Sequence, residues 1–184
     1  MQPTFEYSFP RYLEAKKSVD DRALNRQVCE VLSEQLQSYP GRKPLSVLEI
    51  GAGIGTMIER LLEWNLIHDA SYTALDSLRE NAQAALPHLS KWATRQNMRI
   101  IPTAPYQWQL LDTHHNRKVE IEYLIEDLFS FIQQKAGEQK WDLLVAHAFL
   151  DLVDIPMTLP LLRNLLHPDG SFYFSLNFDG ATII

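Results

Sequence analysis

The stretch Leu45 to Thr56, LSVLEIGAGIGT, sets an apolar run, one acid and three glycines at alternate positions directly before an amphipathic segment. Val47, Leu48 and Ile50 form the short aliphatic run of a parallel strand buried on both faces. The chain must then turn sharply. Gly51, Gly53 and Gly55 supply positive φ and lack a Cβ, so the main chain can approach a ligand closely. The helix that follows aims its free amides and positive dipole end into the same crevice. Strand, tight turn and helix are expected here, although a bare strand-to-helix connection would use the same glycines.

With 184 residues and 46% hydrophobic content, one core and a single folded unit are expected. The net charge is −6 and the basic residues are scattered, which argues against nucleic acid as the main partner. The single cysteine, Cys29, has no partner for an internal disulfide and no metal-type spacing around it. It falls on the apolar side of a predicted helix and reads as a core thiol. No signal peptide opens the chain, and no apolar run approaches the roughly 20 residues that span a bilayer. A cytoplasmic protein without membrane attachment or metal is expected.

Taken in order, Met1 to Lys17 is rich in aromatics and interrupted by Pro3 and Pro10, and reads as an irregular N-terminal arm, with the folded domain running from 18 to 184. Ser18, with Asp21 three places on, reads as the cap of a helix carrying Leu24, Val28, Val31, Leu32 and Leu36, and Tyr39-Pro40-Gly41 ends it. After the glycine turn, Ile58, Leu61, Leu62 and Leu66 mark a core-facing helix. SYTALDS gives a second strand ending in Asp76, a little beyond the roughly 20-residue distance at which nucleotide-binding folds place a ribose-binding acid. Asp76 equally suits a cap for the next helix, which runs through Ala82, Leu89 and Trp92 with Pro87 expected to kink it.

Between Asn97 and Glu126, alternation at Trp108 and Leu110 and again at Val119, Ile121 and Tyr123 predicts two antiparallel strands. The second is read as the third strand of the parallel sheet and the first as an added edge strand. His114 and His115 fall in the polar turn between them, without ligand spacing. The fourth strand covers Leu143 to Ala146, with His147 at its end either as a general base or as a histidine satisfied by its surroundings. Asp151 and Asp154 open the next helix, and HPDG turns into a fifth strand, SFYFSLNF.

The run E-I-G-A-G-I-G-T, with Glu49 two residues before the first glycine, resembles the first motif of the class I S-adenosylmethionine-dependent methyltransferases. A dinucleotide fingerprint fits less well, because it wants a glycine or alanine where Thr56 stands. The resemblance covers roughly Ser18 to Phe178. It implies an α/β, Rossmann-like doubly wound, mostly parallel sheet with helices on both faces, here with an added antiparallel edge strand. The last two strands of the seven in that fold find no sequence after the fifth, so a C-terminally truncated domain is expected, with possible contacts to a missing C-terminal region.

The same resemblance implies S-adenosyl-L-methionine as cofactor, contacted by Glu49, Gly51, Ala52, Gly53 and Gly55. Asp76 with Ser77 would hold the ribose, Asp127 with Leu128 the adenine, and Ala146 would face the methyl group. The leading helix would roof the site, with Arg11, Lys16 or Lys17 reaching the methionine carboxylate or remaining solvated. Asp127 also reads as a helix cap. Enzymes acting on nucleobase amino groups carry Asn or Asp, Pro, Pro and an aromatic at the fourth strand's end, whereas this chain has Ala146-His147-Ala148-Phe149. That departure resembles the small-molecule enzymes, with His147 as the candidate base. A non-catalytic cofactor-binding module and an NAD-dependent oxidoreductase are the alternatives.

Overall fold

The computed structural model describes residues 8–39, 44–135 and 137–176. The elements run α1 (Phe9–Ala23), α2 (Arg26–Ser38), β1 (Leu45–Ile50), α3 (Thr56–Glu63), β2 (Asp69–Asp76), α4 (Arg79–Arg95), β3 (Arg99–Ala104), β4 (Gln107–Asp112), β5 (Arg117–Ile125), α5 (Leu128–Lys135), β6 (Trp141–His147), a short 3-10 turn at Leu150–Leu152, α6 (Ile155–Arg163) and β7 (Leu166–Ser175).

Seven strands form one sheet in the order β3-β4-β5-β2-β1-β6-β7. The run from β5 to β7 is parallel, while β3, β4 and β5 pair antiparallel. The central strands are buried on both faces, as their aliphatic runs require. Val47, Leu143 and Val145 join the core beneath α3 and α4, whereas Leu48, Leu144 and Ala146 join the core with Phe131 of α5 and Leu162 of α6. The expected Rossmann-like architecture is therefore present, with helices on both faces. The count of seven comes from two added antiparallel strands, and no strand follows β7 among the described residues.

Several local expectations are corrected. The irregular reading of the arm fails from Phe9 onward, because Pro10 sits in the first turn of α1, where a missing N–H costs nothing. Residues 1–7 of the arm lie outside the described residues, as do Pro40, Gly41 and the end of the chain from Asn177. Ser18 is inside α1 and caps no helix. The chain breaks at Leu24, and Asn25 caps α2 by accepting from the Gln27 amide at 2.9 Å. Of the predicted apolar stripe, Leu24 and Leu32 are buried and Val28 and Val31 are exposed.

The added region holds two strands before β5, so β3 is the outer edge and β4 lies inside it. Pro102 is compatible with β3 because an edge strand does not need every donor. HPDG does not form a separate turn. It lies within β7 as an irregularity where the register jumps from Trp141↔Leu166 to Leu143↔Ser171. α4 runs on through Pro87, and Asp154 caps α6 by accepting from the Met157 amide at 3.0 Å, with Asp151 in the preceding 3-10 turn.

Gly55 shows how closely the turn is tied to the core. Its φ is +88°, and a Cβ there would stand 3.1 Å from Cδ1 of Leu89 on α4. Gly55→Ala is expected to lower stability by about 1–2 kcal/mol, the cost of a left-handed non-glycine residue, read as a fall in the urea midpoint. An unchanged midpoint would show that the turn relaxes without strain.

Candidate functional site

The C-terminal ends of β1, β2, β5 and β6 border a cavity of about 550 Å³, roofed by α1. Its floor is the glycine turn. Gly51, Gly53 and Gly55 adopt φ of 68°, 56° and 88°, which lets the chain double back after β1. The Ala52 amide bonds the Leu75 carbonyl at 3.0 Å, and the Gly53 amide donates to Asp76 Oδ2 at 2.8 Å. From β5, the Tyr123 hydroxyl donates to the Gly53 carbonyl. The ends of two strands, β2 and β5, are thus bonded to one turn.

Asp76 stands at the cavity wall, and it does not cap α4, whose N-cap is Leu78 without a side-chain cap bond; it closes the turn that leads into the helix. Oδ1 accepts from the Leu78 amide at 2.8 Å, and Asn81 donates to both oxygens at 3.2 Å. Ser77 beside it is exposed and lines the cavity. Asp127 is exposed at the opposite wall and accepts from the Phe129 and Ser130 amides at 3.0 and 3.1 Å, so it caps α5. Leu128, buried, lines the same wall.

Glu49, Gly51, Ala52 and Gly53 also line the cavity. Gly55 and Ala146 do not: Gly55 starts α3 against Leu89, and Ala146 is fully buried in the sheet. The strand reaches the cavity one residue later, at His147. Of the three basic candidates on α1, Lys16 lines the cavity, Arg11 is exposed away from it, and Lys17 pairs with Glu59 at 3.4 Å and Asp21 at 3.3 Å.

Several residues here carry no signal in an irregular arm. Phe9, Tyr12, Leu13, Lys16 and Asp20 line the cavity along one stripe of α1. Their spacing is legible only once a helix is begun at Phe9. Leu13 seals the turn, since a Cβ on Gly53 would lie 2.9 Å from its Cδ1. Phe149 does the same over Gly51 at 2.7 Å. Ala148, at φ 49°, makes the turn that places Phe149 there, and its amide bonds the Ser175 carbonyl at 2.8 Å.

His147 is held on both sides. Nε2 lies 3.4 Å from Asp20 Oδ2, and Nδ1 lies 2.5 Å from Ser175 Oγ. Burial and the positive charge of Arg60 push its pKa below the ordinary imidazole value, against the pull of Asp20. With Nε2–H donating to the carboxylate, Nδ1 is the basic nitrogen and accepts from the Ser175 hydroxyl.

Glu49 is buried, and burial raises its carboxyl pKa to about 8, although the Tyr72 hydroxyl donates to Oε2 at 2.8 Å. Burial and the neighbouring Glu49 raise Tyr72 in turn. No group of metal-ligating side chains occurs among the described residues, and none of their helices is long and apolar enough to cross a membrane.

No family model matches the chain, and no curated protein matches it. Solved structures do. A Methanococcus maripaludis protein named as an S-adenosyl-L-methionine-dependent methyltransferase aligns over 97% of this chain and 68% of its own, with TM-score 0.53 and 15% identity. A chain from the complex of the Haloferax volcanii Trm112 methyltransferase activator with a methyltransferase aligns over 95% and 62%, with TM-score 0.50 and 18% identity. The plantazolicin methyltransferase BpumL, solved with a substrate analogue and S-adenosylhomocysteine, aligns over 80% of this chain, with TM-score 0.50 and 18% identity. The chain spans 44% of BpumL's length. At these identities the likeness establishes the fold: this chain has the class I, Rossmann-like fold of the S-adenosylmethionine-dependent methyltransferases.

The raised carboxyl of Glu49 has a thermodynamic consequence. Its folded pKa of about 8 lies above the ordinary carboxylate value, so the folded state keeps a proton that the unfolded chain releases. Stability is complete below the unfolded pKa and falls as pH rises toward about 8, by up to roughly 1.4 kcal/mol per pH unit. Glu49→Gln keeps an acceptor for Tyr72 and should lose that decline. Urea midpoints across this pH range test it, and parallel profiles for the two proteins would contradict the assignment.

Proposed function

We propose that this chain is a methyltransferase domain that binds S-adenosyl-L-methionine and passes its methyl group to a small molecule. The observation that carries the reading is the cavity itself. A glycine turn with three positive-φ residues, bonded to the acid at the end of β2, faces an opening of about 550 Å³. That volume lies within the roughly 300–1,000 Å³ of small-molecule pockets. The neighbouring structures, some solved with S-adenosylhomocysteine, support the choice of cofactor.

The residues present fit that cofactor. Asp76 offers a carboxylate to ribose hydroxyls, with Ser77 beside it, and Asn81 would exchange one of its two contacts for the sugar. The exposed oxygens of Asp127 and the buried Leu128 suit the edge and face of an adenine. Glu49 lines the cavity with a carboxyl ready to ionise beside a cation. The bound group supplies an electrophilic methyl on a sulfonium. The protein's task is then to align the acceptor, exclude water and take up a proton. Phe149 and Leu13, packed over the glycines, exclude water, and His147 receives the proton by way of the Ser175 hydroxyl, which gives its own proton to Nδ1 as it takes up another, while Asp20 balances the imidazolium charge. The short sequence after β6, without an Asn/Asp-Pro-Pro pattern, supports a small-molecule acceptor over a nucleobase.

Calorimetric titration with S-adenosylhomocysteine tests the reading directly, with NAD as the control ligand. Micromolar binding of the homocysteine nucleoside, weakened about tenfold or more by Asp76→Ala, is expected, and NAD should not compete. Failure of the folded chain to bind it would refute the cofactor assignment, and tight NAD binding would favour an oxidoreductase.

A further inference from the structure

The cavity has two unlike halves. One is the glycine turn with the ends of β2 and β5, which the proposed cofactor fills. The other lies under α1 and beyond β6, walled by Phe9, Tyr12, Phe149, Leu152 and Val153 with His147 at its base. Resting on the methyltransferase reading, we propose that this second half takes a planar aromatic methyl acceptor that carries no negative charge.

Three observations support this class. Phe9 and Tyr12 both line this half, their rings packed on one another with centroids 5.8 Å apart and planes 26° from parallel, so one wall is aromatic. Flat ligands gain most from such a wall, through offset stacking beyond simple area burial.

The mouth of the cavity is also apolar. Tyr12 is 40% exposed and Leu152 72%, and both line this half of the cavity. A single exposed apolar residue is ordinary, but two facing one concave opening form an apolar rim. An acceptor with apolar bulk would cover them while its reacting atom lies deeper, toward His147.

The charges described in this half disfavour an anion. Lys16 lies 3.9 Å from Asp20 and 5.8 Å from the Tyr12 ring centroid, and Asp20 faces His147 at 3.4 Å. Asp151 adds a second carboxylate to the lining. Lys16, the one Lys or Arg among the described lining residues, is thus already beside a carboxylate, so a carboxylate on the ligand would compete with Asp20 for it, which is unfavourable when buried.

The test uses the protein saturated with S-adenosylhomocysteine, titrated with three probes of similar size: β-naphthol, its anionic counterpart β-naphthoate, and the saturated β-decalol. β-Naphthol is expected to bind about tenfold more tightly than β-naphthoate, and about threefold or more over β-decalol. Tyr12→Ala and Leu152→Ser, both at exposed positions, should each weaken β-naphthol about threefold or more while the nucleoside still binds. Equal affinity for β-decalol, a preference for β-naphthoate, or no loss in either variant would overturn the acceptor class alone. Absence of nucleoside binding would instead overturn the methyltransferase reading and this inference with it.

Discussion

The bond from the Gly53 amide to Asp76 is the constraint on which the site depends. It can form only because Gly51 and Gly53 take left-handed conformations that fold the chain back over the end of β2. The Gly53 carbonyl, on the other side of the same residue, takes the Tyr123 hydroxyl of β5. One residue therefore bonds to two neighbouring strand ends, and the cavity floor inherits the rigidity of the sheet. The cost is borne locally, in Glu49, whose carboxyl is buried by the same packing and held near neutrality.

α1 is attached by a different kind of contact. Its one buried residue is an acid, Asp20, and its underside meets the body largely through charge. Asp21 accepts from the almost fully buried Arg60 at 2.6 Å, Lys17 faces the buried Glu59 at 3.4 Å, and Glu59 also meets His88 Nε2 at 2.7 Å. Pairs of this sort add little net stability after desolvation, yet losing one partner leaves a buried charge and costs several kcal/mol, roughly 3–5. They therefore fix where the helix lies more than how firmly the protein folds. That position brings Leu13 onto Gly53 and Asp20 onto His147, so the roof and the base of the cavity are set together.

The parallel core was legible because its signals are local. Aliphatic runs at Val47 to Ile50 and Leu143 to Ala146, and the glycine turn between the first strand and helix, follow from short-range chemistry. The site was legible in part. Asp76 and His147 stand at the cavity as strand-end residues should, whereas Ala146 is turned into the sheet by the strict alternation of a strand that reaches the opening one residue later. α1 was misread because Pro10 looks like a breaker unless it is placed in a first turn, and with that helix lost its cavity-facing stripe was lost as well. The role of Asp20 had no local signal at all, since an acid on a helix surface is ordinary until a histidine from a distant strand is placed beside it.

The added strands explain how the far wall of the site is supported. In a sheet that ended at β5, the strand leading to Asp127 would be an edge, free to fray on one side. Here β4 pairs along β5 from Gln107↔Glu122 to Asp112↔Arg117, and the open edge is moved out to β3, where Pro102 withholds a donor. Trp108 on β4 packs beside Tyr123 on β5, with ring centroids 6.2 Å apart, and Tyr123 is the residue bonded to Gly53. The insertion thus buttresses, through one tyrosine, the turn that forms the cavity floor, so the extra strands act on the site without touching it.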